Sequence, residues 1–380
     1  MRILINALSA RRGGIITYTR NLMRSLQAKG VDAVFALPTG SPLLNENIET
    51  VDYPVTEMSP LSRVLWEQIV WRREVGRLKP DILYSSANFG LIRCPVPQIL
   101  LVREGGLFDP VYLASIAPVL GARKIFDRIM RRRLIIASAR SSDVVLTPTD
   151  ATGQLLQMWA DDLSQKISTN LYGTRLGEFR PRASRREWRS DGILRVLMVS
   201  AYYAHKQPGI ISEAVRRLNE NGLVTHLTLT TNLEQITNAP GGSKDAFLLR
   251  QGAARGEVTM LGHVDYGDLP GLYANNDVFV TPSMSETFGH PLIEAMGSAV
   301  PVVASDTQVH REVCGDAAIF FPGLSVCALV DAIKMLDGDP NRRKNLLVAA
   351  GELSNRNYSW DSHVDRLLEH CKSVTKYKAR

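Results

Sequence analysis

DVFVTPSMSETFGHPLIEAMGSAVPVVASD, residues 277–306, is the stretch in which the folding pattern of this chain is most legible. Residues 278–280 form a short apolar run rich in β-branched side chains, which predicts a strand. Thr281-Pro282-Ser283 breaks the run, and a small polar loop follows, Ser285-Glu286-Thr287-Phe288-Gly289-His290. A helix is expected from Pro291, since proline suits a first helical turn. A second apolar strand is expected over 300–304. Such a strand–loop–helix–strand unit aims a helix N-terminus at the loop. Free backbone N–H groups and the helix dipole make that a ready anion site. Two carboxylates bracket it, Glu286 in the loop and Glu294 one turn into the helix.

The chain has 380 residues, which predicts two domains of ordinary size. Hydrophobic residues make up 45% and charged residues 22%, the balance of a folded globular protein. The net charge of +7 suits acidic partners, whether nucleotides, phosphorylated substrates, anionic membrane or nucleic acid. Four cysteines, at 94, 314, 327 and 371, have no metal-ligand spacing, which predicts a reduced, cytoplasmic protein. The opening MRILINALSARRGG reads as a first strand rather than a signal peptide. No run approaches the roughly 20 apolar residues of a spanning helix, so membrane contact is expected at a surface only.

Outward from the opening stretch, strands and helices alternate. Residues 3–8 predict a strand that runs into a loop ending in Gly13-Gly14, with a helix over 15–28. Glycine there lets the backbone approach a phosphate, although a Gly-Gly pair is more often a plain turn. The dinucleotide and P-loop fingerprints are absent. Strands are expected at 33–37, 81–84, 98–102 and 143–147. A helix is expected over 61–78, with Leu61, Val64, Leu65 and Ile69 on one face. The alternation predicts a parallel sheet with helices on both faces. Arg103 and Glu104 follow a strand directly, and ligands in open α/β sheets bind beyond the carboxyl ends of strands. A solvated charge pair is the competing reading. Residues 122–140 predict a basic amphipathic helix, with Ile125, Phe126, Ile129 and Met130 on one side and Lys124, Arg128, Arg131 and Arg132 on the other. It reads either as a core-facing helix with a solvated face, or as an adhesion surface for anionic lipid worth about 1 kcal/mol per basic residue. Neither aromatic interleaving nor a binding module accompanies it, so no nucleic-acid partner is expected.

Residues 178–191 are polar, arginine-rich and contain proline, and read as a linker. The domains are then 1–180, 190–358 and a C-terminal helix and tail, 359–380, expected to pack back on the first. The second alternating series starts with a strand at 194–200 and a loop carrying His205 and Lys206, with a helix over 208–218. A lysine at the carboxyl end of a strand is a fair phosphate ligand, as a point charge. Further strands are expected at 224–230, 258–261 and 277–280. Two α/β domains joined once imply an interdomain cleft, where ligands usually lie.

Over 258–321 the residues become recognisable. Glu286 and Glu294 make an E-x7-E motif, flanked by F-G-x-P-x-x-E-A-M, P-V-V-A-S and H-R-E-V-x-G-D-A-A. With Gly13-Gly14 and His205-Lys206 in the matching order, the chain resembles the retaining glycosyltransferases of family 4, group 1 enzymes of the GT-B fold with two Rossmann-like parallel-sheet domains. The resemblance implies a nucleotide-diphosphate sugar donor bound mainly by the second domain. It implies Glu294 on the ribose hydroxyls and Glu286 on the donor sugar, positioning it rather than attacking it. Thr287, Phe288 and Gly289 would offer backbone N–H groups. Lys206 would stabilise the departing diphosphate, helped by His205 or Arg103 and by Gly13-Gly14 from the first domain. Many members carry an arginine where Ser200 stands and a histidine where Arg103 and Glu104 stand. No cofactor beyond the donor is implied and no metal: Asp337-Gly338-Asp339, before Pro340, reads as a turn. The acceptor implied is a glycan or lipid-linked glycan of surface polysaccharide or lipopolysaccharide synthesis, with GDP-mannose the expected donor, at the inner face of the membrane. A nucleotide-sugar epimerase and a degenerate, non-catalytic subunit are the competing functions.

Overall fold

The computed structural model describes residues 1–380 apart from 12–13, 176, 182–184 and 379–380. Among the described residues the strands gather into two sheets. The first contains β1 (Ile3–Asn6), β2 (Ala33–Pro38), β3 (Thr50–Tyr53), β4 (Ile82–Ser85), β5 (Gln98–Leu101), β6 (Val144–Thr147) and β7 (Ile167–Thr169). Their order is β3-β2-β1-β4-β5-β6-β7, every pair parallel. The second contains β8 (Leu194–Met198), β9 (Thr225–Leu229), β10 (Val258–Met260), β11 (Val278–Thr281), β12 (Val302–Ser305) and β13 (Ala318–Phe321). Their order is β10-β9-β8-β11-β12-β13, again all parallel. Helices cover both faces of such sheets, which is why strands such as Ile3-Leu4-Ile5 and Val278-Phe279-Val280 are apolar at every position and buried throughout.

Each sheet reverses its winding at one point, between β1 and β4 in the first and between β8 and β11 in the second. Beyond the carboxyl ends of strands at a switch point the two following helices diverge to opposite faces and leave a crevice.

The chain divides into two units, one of 1–108, 123–173 and 360–380, the other of 109–122 and 174–359. The segment 109–122, which the sequence reading leaves in the first domain, groups with the second unit. The helix Trp360–Lys378 returns to the first unit. Its Val364, Leu367 and Cys371 are buried, one on each successive turn. Gly173 permits the approach: a Cβ there would meet the Trp360 backbone at 2.6 Å.

Four local expectations are corrected. The helix expected over 61–78 contains a π-helical turn, Glu67–Trp71, between Pro60–Trp66 and Arg72–Leu78. The face carrying Leu61, Leu65 and Ile69 is exposed, while Trp71 and Val75 go to the core. The extra residue of the π-turn rotates the register by part of a turn, so one amphipathic stripe cannot run its length. In the helix Ala122–Arg140, Ile125, Phe126 and Ile129 are exposed and burial begins at Ile135, so its first turns face solvent. The supposed linker is packed: Phe179 is buried, Arg186 pairs with Asp277, and the Trp188 indole donates to Asp337 at 2.9 Å. Finally β3, β7 and β13 are strands that the sequence reading did not single out, because runs of three or four residues such as Ile-Ser-Thr carry little periodicity. No helix among the described residues is long and apolar enough to cross a membrane.

Candidate functional site

The switch point of the second sheet brings two loops together. One leaves β8 and contains the 3-10 turn Ala204–Lys206; the other leaves β11 and runs to the helix His290–Gly297. The Met284 N–H donates to the His205 carbonyl at 2.8 Å, which stitches the loops at backbone level. Two backbone conformations shape the turns into their helices. Gln207 has φ +51° and ends the Lys206 turn, and Gly289 has φ +85° immediately before the helix. A Cβ on Gly289 would also press within 2.8 Å of Leu292, so glycine is required there on two counts.

Side chains meet across this junction. The Lys206 ammonium donates to Glu286 Oε1, both side chains being nearly buried. Burial alone would raise the Glu286 pKa, but the charge of the Lys206 ammonium beside it holds the carboxyl well below the usual range. Glu286 is therefore a carboxylate at any physiological pH.

Glu294 has the opposite environment. It is 4% exposed and has a phenol, not a cation, for a partner: Tyr273 Oη donates to its Oε2 at 3.0 Å. Burial raises its pKa to about 7, and the hydrogen bonds from Tyr273 and Tyr266 offset this only in part. At neutral pH the group is poised between acid and carboxylate.

The structure adds residues that the sequence reading missed. Tyr273 and Tyr266 surround Glu294, and Phe179 packs edge-on against both. His310, fully buried, lies 2.7 Å through Nδ1 from the Ser305 carbonyl. A carbonyl only accepts, so Nδ1 carries the proton; burial lowers the ring's pKa and keeps it neutral, so Nε2 is a buried lone pair with no hydrogen-bond partner among the described residues. Ser305 Oγ in turn donates to the Ser283 carbonyl at the base of the Glu286 loop. In sequence His310 is one member of a H-R-E triplet, and nothing local marks it as buried beside the loop.

The other expected residues fall as follows. His205 is ringed by Tyr112, edge-on at 4.9 Å, and by Tyr203, stacked at 5.6 Å. Thr287 and Gly289 are partly exposed in the loop, whereas Phe288 is buried, its ring packed against His290 and Tyr358. Asp337 pairs with Arg189 and Trp188, and Asp339 caps the helix Pro340–Asn357.

The first unit holds the remaining candidates by itself. Gly13 lies outside the described residues, and Gly14 is the exposed first residue of the helix Gly14–Ala28. Arg103 and Glu104 do not pair with each other. Glu104 binds Arg131 at 2.7 Å, and Arg132 stacks 3.5 Å over the Trp159 ring, so Arg131 and Arg132, both expected at a membrane, have partners in the fold.

Residues 182–350 match the family described as Glycosyl transferases group 1. An O-antigen chain mannosyltransferase of Salmonella typhimurium is 35% identical over 314 residues, covering 81% of this chain and 82% of that one. Escherichia coli O-antigen chain mannosyltransferase B is 36% identical over 115 residues, but the match spans only 30% of its length and 30% of this chain. Among solved structures, sucrose-phosphate synthase from Thermosynechococcus elongatus superposes with a TM-score of 0.76 over 100% of both chains at 16% identity, a likeness of fold.

Proposed function

From the premise that the chain belongs to the group 1 glycosyl transferases and has their two parallel-sheet GT-B units, we infer that this transferase moves a sugar, mannose from a GDP donor, onto a growing surface polysaccharide. The observation that carries the reading is the Lys206–Glu286 pair at the switch point of the second sheet, eight residues before Glu294. The mannose and the polysaccharide rest on the likeness to the Salmonella and Escherichia O-antigen mannosyltransferases.

In this reading the second unit binds the donor. Glu294, as carboxylate, accepts both O–H groups of the ribose diol, which a bidentate acceptor suits. Glu286 accepts from hydroxyls of the sugar and orients it. Lys206 and the backbone N–H groups of the 287–289 loop meet the diphosphate. As the bond from the anomeric carbon to the phosphate oxygen breaks, negative charge grows on the leaving group. A donor placed there in advance is worth roughly 3 kcal/mol of barrier. The acceptor hydroxyl enters on the same face, its oxygen bonds to the anomeric carbon, and its proton passes to the departing phosphate, so configuration is retained. No metal is needed, because Lys206 supplies the positive charge. The acceptor is lipid-linked, and the exposed Ile125, Phe126 and Lys124 of the basic helix hold the enzyme at the cytoplasmic membrane face.

The test is a panel of nucleotide-diphosphate sugars followed by thermal shift and then by transfer. A shift with GDP-mannose, and transfer that falls about 10²–10³-fold in Glu286→Ala, is expected. Undiminished transfer by that variant, or interconversion of the sugar without any acceptor, overturns the reading.

A further inference from the structure

Arg103 is held in the first unit as a cation with no anion paired to it among the described residues. It stands just past the carboxyl end of β5, and its backbone N–H donates to Asn88 Oδ1 at 2.7 Å. Asn88 itself sits at φ +63°, the left-handed region that asparagine tolerates better than most residues. The guanidinium carbon lies 5.4 Å from the Tyr18 ring centroid and 5.7 Å from that of Tyr172, within cation–π range of both. Behind these rings the packing is fixed. Tyr18 Oη is 2.7 Å from Tyr84 Oη and 3.0 Å from His363 Nε2, and Trp360 packs against Tyr18. The arginine Nη1 is buried and has no hydrogen-bond partner.

Two other arginines with a buried orphan nitrogen, Arg11 and Arg189, differ from it. Arg11 donates to the carbonyls of Val55 and Thr56, and Arg189 to Asp337. Among the described residues no carboxylate lies within ion-pair distance of Arg103, and the neighbouring Glu104 is bound to Arg131 instead. A half-buried guanidinium costs free energy unless something meets it. The surroundings are phenols, which burial keeps protonated and neutral, so they supply ring faces to the guanidinium but no countercharge. A group with many acceptor oxygens and full negative charge suits it, and the planar fork of arginine matches a phosphate in bidentate fashion.

We propose that Arg103, in its Tyr18–Tyr172 cradle, is the anion receptor of the acceptor, taking a phosphate or diphosphate group that the acceptor carries. That the ligand is the acceptor rests on the glycosyltransfer reading above; that Arg103 binds a phosphate does not.

The experiment uses the full chain, with inorganic pyrophosphate as probe in titration calorimetry. Wild-type protein is compared with Arg103→Gln and with Lys206→Gln. The expected result is an Arg103-dependent site that survives Lys206→Gln and weakens at least tenfold in Arg103→Gln. If Arg103→Gln does not fold, Arg103→Lys keeps the charge but loses the fork, and an intermediate loss of several-fold is expected. Unchanged pyrophosphate binding in a folded Arg103 variant overturns the proposal. Equal binding of glucuronate through Arg103 overturns the phosphate assignment. If no nucleotide sugar binds wild-type protein while pyrophosphate still binds through Arg103, the transfer reading fails and the anion site stands. In transfer assays, Arg103→Gln should raise the KM for the acceptor and leave the Kd for the donor unchanged.

Discussion

Glu286 and Glu294 lie eight residues apart in one loop and helix, and both are sheltered from water, yet they end in opposite states. Glu286 is ionised because the loop after β8 delivers Lys206 to it. Glu294 is held near pKa 7 because its own neighbourhood offers only phenols. Desolvation is common to both and favours the neutral acid; the partner decides the outcome. The difference divides the labour as well. A permanent carboxylate suits steady contact with sugar hydroxyls, whereas Glu294 must shed a proton to take a diol.

Lys206→Gln tests the contrast hardest, since it removes the cation that distinguishes the two. It leaves Glu286 buried without a countercharge, and breaking a buried pair costs about 3–5 kcal/mol. Urea unfolding at pH 7 should show that loss, and Lys206→Gln/Glu286→Gln should recover a good part of it. A double variant no more stable than the single one would remove the pair from the account.

Glu294→Gln works in the opposite direction. The Glu294 pKa is raised in the native state, so the fold holds a proton that the unfolded chain releases from about pH 4.3 upward. From this group, stability is greatest at low pH and declines as pH rises through about 7. Glutamine keeps the tyrosine contact and carries no charge, so at pH 8 the variant should be more stable than the wild type, by at most about 3 kcal/mol. The gain should vanish near pH 5. The same change should weaken donor binding, and in the wild type donor affinity should fall as pH drops below 7. Stability and donor affinity moving together in this variant would break the comparison.

Tyr273→Phe makes the smallest change. It deletes one hydrogen bond to Glu294, worth about 1 kcal/mol. The midpoint of the pH profile for donor affinity should rise by somewhat less than one unit, while the profile of Glu286-dependent steps stays in place.

Much of this was readable in the chain. The apolar runs at 278–280 and 194–200, each followed by a turn and a helix, announce a parallel sheet and place Lys206 and Glu286 beyond strand ends. The reading lost ground where the local pattern is not what decides. Leu61, Leu65 and Ile69 recur at helical spacing, as a core stripe does, but a π-turn shifts the register and the sheet receives Trp71 and Val75 instead.

By itself, then, the sequence determined the β/α alternation, the loops that carry chemistry and the eight-residue spacing of the glutamates, because these depend on side-chain period and turn residues that act over a few positions. Tertiary structure alone decided which glutamate keeps its charge, that His310 carries a lone pair into the buried junction, and that Arg103 meets tyrosine faces rather than Glu104. The states of Glu286 and Arg103 depend on partners such as Lys206 and Tyr18, 80 and 85 residues away, brought up by parallel strand pairing, and all three outcomes depend on burial, which no local pattern of residues records.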